Sequence, residues 1–209
     1  PTWILSRVEG GQEGRMTSIF TTDVLYKDKS EAHFRKESGF IFRSNSNATE
    51  YFSLTIYGER NVDARDIWLP NKITCDTKGI CASNKIIAKV CQVYGVKVTD
   101  PGNQCVSTEL KSNNTNNFFN TEYIVDKPLI LDAKVEGTKL EVHLSLSWSL
   151  NRNDDEMEAT IDLSQFARGA FNDKTHQYVG FKLASEDFKL YDIAWASKTY
   201  ENEGCFSNP

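Results

Sequence analysis

Between residues 137 and 163, GTKLEVHLSLSWSLNRNDDEMEATIDL, apolar and polar side chains alternate through two runs that flank a polar loop, Asn151 to Glu156. Leu140, Val142, Leu144, Leu146, Trp148 and Leu150 share one parity, while Glu141, His143, Ser145, Ser147 and Ser149 share the other. A period of two places these sets on opposite faces of an extended strand. On the return, Met157, Ala159, Ile161 and Leu163 alternate with Glu158, Thr160 and Asp162, so the stretch reads as a β-hairpin with one oily and one wet face. One-sided strands of this kind belong to antiparallel sheets that pack one face on another layer.

The rest of the chain repeats the signal. A short edge strand at Trp3-Ile4-Leu5 runs into a glycine-rich turn, and Thr17 to Tyr26 is rich in β-branched and aromatic residues. Gly39 to Phe42 and Glu50 to Tyr57 form a strand pair around a Ser/Asn loop whose side chains can bond their own backbone. In the second of these, Phe52, Leu54 and Ile56 are expected to face the core and Tyr51, Ser53, Thr55 and Tyr57 the opposite side. Pro70 closes the Ile67-Trp68-Leu69 run. The apolar run from Lys85 to Val98 fits strand or helix, and its Ile, Val and Tyr content favours strand. Strands are also expected at Pro128 to Val135, Gln177 to Ala184 and Phe188 to Ser197, with one helical turn after a capping Ser164. About a dozen strands with almost no helix define an antiparallel β-sandwich or barrel, read as a single domain over residues 1–209 with a polar tail from 199.

A composition of 39% hydrophobic, 25% charged and 11% aromatic residues suffices for a buried core. The formal charge of −5, with no basic stripe, argues against nucleic acid and against an anionic membrane surface. No run approaches the roughly 18 to 20 apolar residues that span a bilayer. The start at Pro1-Thr2-Trp3 suggests a mature chain or an excised domain.

Four of the five cysteines, Cys75, Cys81, Cys91 and Cys105, fall close together, and local disulfides Cys75–Cys81 and Cys91–Cys105 are the expected pairs. Cys205, in the polar tail, is left for another segment, domain or chain. Sequons at Asn47 and Asn113 point the same way, to an extracellular, secreted or cell-surface glycoprotein. Reduced thiols in a cytosolic protein are the alternative. Zinc is not favoured, because no CxxC pair is present and no histidine lies near the cluster.

The carboxyl-terminal third, through Lys139-Leu140-Glu141-Val142, Ala159-Thr160-Ile161-Asp162-Leu163, Tyr178-Val179-Gly180-Phe181 and Leu190 to Ser197, resembles the closing strands of legume-type lectins and the wider concanavalin A-like jelly-roll family. The resemblance covers about 60 residues of short apolar motifs and implies a jelly-roll fold more than an activity. Legume-type lectins hold calcium and a transition metal on a run of Glu, Asp, Asn and His. That run has no counterpart here, so no metal ligand is carried over and no cofactor is assigned.

Candidate chemistry lies in two places. Glu141 and His143 share the wet face of the hairpin and can act as an acid/base pair or as hydrogen-bonding groups for a sugar, although a solvated sheet face has the same pattern. Tyr51 and Tyr57, with Asn61, Asp63, Arg65 and Trp68 in the following loop, offer rings to stack on a sugar and polar groups for its hydroxyls. Trp68, between Ile67 and Leu69, reads more readily as core than as a binding platform. The oxygen-rich loop Asn151 to Glu156 could hold calcium but lacks the EF-hand spacing and reads as a hydrophilic hairpin tip. His33, His143 and His176 form no metal motif. The expected function is a glycan- or glycoprotein-binding module, with a polysaccharide-cleaving lyase or glycoside hydrolase on the same fold, or a structural adhesion ectodomain, as alternatives.

Overall fold

The alternation resolves into two six-stranded antiparallel sheets packed face to face. The computed structural model describes residues 2–9, 11–22, 38–59, 85–95, 104–112, 128–146, 156–183 and 188–198. Twelve strands lie among them: β1 Thr2–Arg7, β2 Gly14–Thr22, β3 Gly39–Ser44, β4 Glu50–Glu59, β5 Lys85–Tyr94, β6 Gln104–Glu109, β7 Lys111–Ser112, β8 Leu129–Glu136, β9 Lys139–Leu146, β10 Glu156–Asp162, β11 Tyr178–Leu183 and β12 Phe188–Ser197. The first sheet runs β1-β11-β3-β4-β5-β6 and the second β12-β2-β8-β9-β10-β7. The chain crosses between sheets after β1, β2, β6, β10 and β11, the interleaving expected of a jelly-roll sandwich.

The inward parity of each strand builds one core. Phe40, Phe42, Phe52, Leu54, Val90 and Phe181 from the first sheet meet Met16, Phe20, Leu131, Val142, Leu144 and Ile161 from the second, all essentially sealed from solvent. Phe52 sits at its centre, stacked on Phe42 at 5.4 Å and met edge-on by Phe166 at 5.1 Å. The hairpin pairs Leu140, Val142 and Leu144 with Ile161, Ala159 and Met157, and Glu156, expected in the loop, begins the returning strand opposite Ser145. Its sharp partner turn, between β8 and β9, needs Gly137 at φ +56, a region that costs a side-chain-bearing residue. Trp148, Leu150 and the tip Asn151 to Asp155 lie outside the described residues.

Two expectations are corrected. The helical turn is a 3-10 turn, Leu163–Gln165, and its cap is Asp162, whose carboxylate accepts from the Ser164 N–H at 2.9 Å. Ser164 lies inside the turn instead of capping it. Tyr51 does not stand on an open face. It points away from the main core as its parity requires, but it is 3% exposed, in a second apolar cluster with Ile41, Cys91 and Val93 on the outside of the first sheet.

One end of the sandwich is tied by Arg43, fully buried and held at φ +46. Its Nε donates to the Gln12 carbonyl (2.8 Å), Nη1 to that of Ala170 (2.8 Å) and Nη2 to that of Gly137 (2.5 Å). Burial lowers its pKa to about 10, opposed by the nearby Glu13 carboxylate. Glu13 in turn accepts from the Gly137 N–H at 2.9 Å.

Candidate functional site

The outer face of the second sheet collects most of the polar side chains that the strand register brings into rows. Across the middle, Thr17, Asp132, His143 and Glu158 lie opposite one another on β2, β8, β9 and β10, with Lys111 beyond. The next row is Arg15, Lys134, Glu141 and Thr160. These are the non-core parities of strands whose other sides are buried, so alternation alone positions them.

The charges are arranged in pairs. Arg15 grips Asp132 in a fork, Nε reaching both carboxylate oxygens at 2.8 and 2.7 Å and Nη2 also bonding Oδ2. Lys139 bonds Glu141 and holds its carboxyl below the usual range. Lys198 bridges Glu136 (2.8 Å) and Glu13 (3.3 Å), which lowers the Glu136 pKa and raises that of the lysine. Glu156 Oε1 lies 2.8 Å from His143 Nδ1, a charge contact without hydrogen-bond geometry. Glu141 and His143 are therefore on one face, as their spacing implies, but they belong to two separate pairs.

Among the described residues, an exposed aromatic ring on this face is that of Tyr191, which sequence reasoning missed. In β12, Leu190 pairs with Phe20 and Asp192 with Ile19, so Tyr191 is an extra residue in a β-bulge. Leu190 and Ile193 both pack on the core, and the bulge leaves Tyr191 61% exposed, its hydroxyl 3.5 Å from Thr21 Oγ1. Beside it Ile19 and Ile130 pair on the outer parity of β2 and β8 and are half-buried. The signal was present in the sequence: inward Leu190 and Ile193 are three residues apart, a break in the period of two.

At the Arg43 end, a second titratable cluster ties the segment after β10 to the first sheet. His176 is buried, its ring stacked on Phe171 at 4.5 Å and 2°. Its Nδ1 lies 2.9 Å from Asp173 and its Nε2 3.3 Å from Glu50. Asp173 also accepts from Thr175, and the Thr175 hydroxyl is the main cause of an Asp173 pKa of about 2. Arg168 lies over the Tyr94 ring at 3.7 Å, and desolvation raises the Tyr94 pKa. With a carboxylate on each ring nitrogen, His176 works as a clamp.

The remaining expected positions divide cleanly. Cys91 and Cys105 face each other in register on β5 and β6 and are bonded. Asn47 is exposed in the β3–β4 turn, which Asn45 organises by accepting from the Thr49 N–H at 2.9 Å. Only the backbone of Tyr57 is described, opposite Ile87. Asn61, Asp63, Arg65, Trp68, Cys75, Cys81, Asn113 and Cys205 lie outside the described residues. Among the described residues no cluster of His, Cys, Asp and Glu is arranged to hold a metal ion, and no helix is long and apolar enough to cross a membrane.

No protein family matches the chain, and no curated protein matches it. Solved structures with a weak likeness to the chain include the following three. An alginate lyase from Klebsiella pneumoniae is 10% identical over 90% of this chain and 61% of its own, with a TM-score of 0.43. The full-length tailspike protein 2 of an Escherichia coli O157:H7 bacteriophage is 11% identical over 94% of this chain and 22% of its own, at 0.42. The enzymatically active domain of a tailspike protein 2 gives the same identity and score, with 24% of that chain covered. The chain thus spans less than two thirds of each of these proteins.

Proposed function

We propose that this chain is an extracellular binding module on a concanavalin A-like scaffold, and that it recognises a neutral glycan, or a glycoprotein carrying one, on the outer face of its second sheet. The observation that carries the reading is Tyr191, pushed out of β12 by a bulge beside a row of hydroxyls and carboxylates. An exposed ring stacks on the apolar face of a sugar while Thr, Asp and His side chains take its hydroxyls. From β12 to β9 the face spans three strand spacings, roughly 14 Å, the reach of a short oligosaccharide. Arg15, Lys139 and Lys198 already spend their charge on carboxylates of the same face, which favours a neutral over an anionic ligand. The Cys91–Cys105 bond supports an oxidising compartment.

A polysaccharide-cleaving activity on this face is the second reading, favoured by the half-exposed His143 ring standing 2.8 Å from the Glu156 carboxylate and opposite Glu158, an imidazole among carboxylates on one face. An array of neutral and uronate-bearing glycans, probed with the wild type and Tyr191→Ala, tests both. Binding of a neutral glycan that falls at least tenfold in the variant supports the first reading, and no binding to any glycan overturns it. New reducing ends or unsaturated products that disappear in His143→Ala would move the assignment to the enzyme.

A further inference from the structure

The row of outward residues that passes Tyr191 is not polar along its whole length. Across β2, β8, β9 and β10 it reads Ile19, Ile130, Ser145 and Glu156, and the bulge sets Tyr191 at its β12 end, where Asp192 pairs with Ile19. Directly opposite residues on neighbouring strands stand about 5 Å apart at Cβ. Ile19 and Ile130 therefore make a two-residue apolar floor, half-buried and next to an exposed ring. The adjoining row, Thr17, Asp132, His143 and Glu158, carries an oxygen or nitrogen on every side chain.

These two rows ask different things of a sugar lying across them. The isoleucine floor offers neither donor nor acceptor, so a hydroxyl set on it gives up water for nothing, whereas a methyl group there gains by leaving water. Neither neighbour in the row supplies the missing partner at that point. The Tyr191 hydroxyl is turned towards Thr21 Oγ1, at 3.5 Å and away from the Thr17 row, and the Asp192 carboxylate accepts from the Ile193 N–H at 2.8 Å. Ser145 stands one strand beyond Ile130.

We infer that the sugar this face selects is a 6-deoxyhexose, its C6 methyl group seated on Ile19 and Ile130, its ring packed against Tyr191 and its ring hydroxyls directed to Thr17, Asp132 and His143. The inference rests on the glycan reading above and adds the sugar class and the two residues that choose it. An N-acetylhexosamine also brings a methyl group, but its acetamide carries an N–H and a carbonyl into the same place, where neither isoleucine can bond them.

Methyl glycosides that differ only at C6 test it: L-fucoside against L-galactoside, L-rhamnoside against L-mannoside, and D-fucoside against D-galactoside. Each is titrated into the whole chain and followed by backbone amide and isoleucine methyl resonances. In at least one pair the 6-deoxy sugar should bind about threefold to tenfold more tightly than its hydroxylated twin, the worth of one methyl group taken out of water. Its C6 methyl should show NOE contacts to the methyl groups of Ile19 and Ile130. Ile130→Thr keeps the β-branched shape and should bring that pair to parity, while Tyr191→Ala should weaken both members. Hexoside binding with no preference at C6, a preference unchanged in Ile130→Thr, or tighter binding of methyl N-acetylglucosaminide than of every 6-deoxy sugar would overturn the inference and leave the glycan reading standing. If neither these glycosides nor any glycan on the array binds, the glycan reading falls and this inference with it. The wild-type comparison within each pair decides the matter even where a variant fails to fold.

Discussion

The guanidinium of Arg43 donates to the carbonyl of Gly137, 94 residues further along the chain, and so joins a strand of one sheet to a hairpin turn of the other. With its bonds to Gln12 and Ala170 it supplies three loops with a donor that no water reaches. Arg43→Leu keeps the bulk but strands three carbonyls, each worth about 1–3 kcal/mol when left unsatisfied. A loss of about 3–5 kcal/mol in urea unfolding is expected, with loops at that end losing amide protection first. Arg43→Lys should recover only a minor part, because an ammonium cannot reproduce the planar fork. Equal stability of Leu and wild type would show that the three loops hold themselves.

Asp173 makes stability depend on acid. Its folded pKa of about 2, set chiefly by the Thr175 hydroxyl and further by His176, lies below its ordinary value of 3.8. A depressed carboxyl stabilises the fold above its unfolded pKa and loses that contribution as pH falls towards the folded one. Asp173→Asn should therefore melt below the wild type at pH 6, and the gap should close between pH 4 and pH 2. Melting curves across that range check it. A gap that stays constant with pH would mean that the carboxylate charge plays no part in the clamp.

Sequence reasoning succeeded where a period of two governs the fold and failed where something interrupts or covers it. Leu140, Val142, Leu144 and Ile161 are buried and Glu141, His143 and Glu158 are on the wet face, because a half-buried strand has only one way to satisfy that pattern. Tyr51 kept its expected parity and was still buried, since alternation tells which side a residue takes but not whether Ile41, Cys91 and Val93 will pack around it. Tyr191 lies at a bulge, which shifts the parity within one strand. Arg43, between Phe42 and Ser44, carries no local sign that its side chain would turn inward. Its role depends on three carbonyls from distant loops, and such contacts are set by the tertiary fold. His176 likewise meets Glu50 only across 126 residues.

The Cys91–Cys105 bond fastens β6, an edge strand of the first sheet, to β5. It closes a short loop with a sequence separation of 14, for which chain entropy alone suggests about 3 kcal/mol. Cys91→Ala with Cys105→Ala should lose about 2–3 kcal/mol and deprotect the amides of β6 while β3 and β4 remain protected. Loss of protection throughout the first sheet would mean that β6 is required for the core and is not merely stapled to it.

Gly180 offers the sharpest test of how the edge of the sandwich is built. Its pairing partner in β1 is Leu5, and the missing side chain is what allows the Ile4 carbonyl to come so near. A methyl group at this position meets backbone, which cannot swing aside as a flexible side chain would. In Gly180→Ala, β1 must therefore shift or detach, at the roughly 1–3 kcal/mol typical of overpacking. Hydrogen exchange should show Thr2 to Arg7 losing protection while β3 and β4, on the other side of β11, retain theirs. A variant with wild-type stability and full protection of Thr2 to Arg7 would show that β1 has room to adjust, and that the close approach at Gly180 does not determine the shape of this edge.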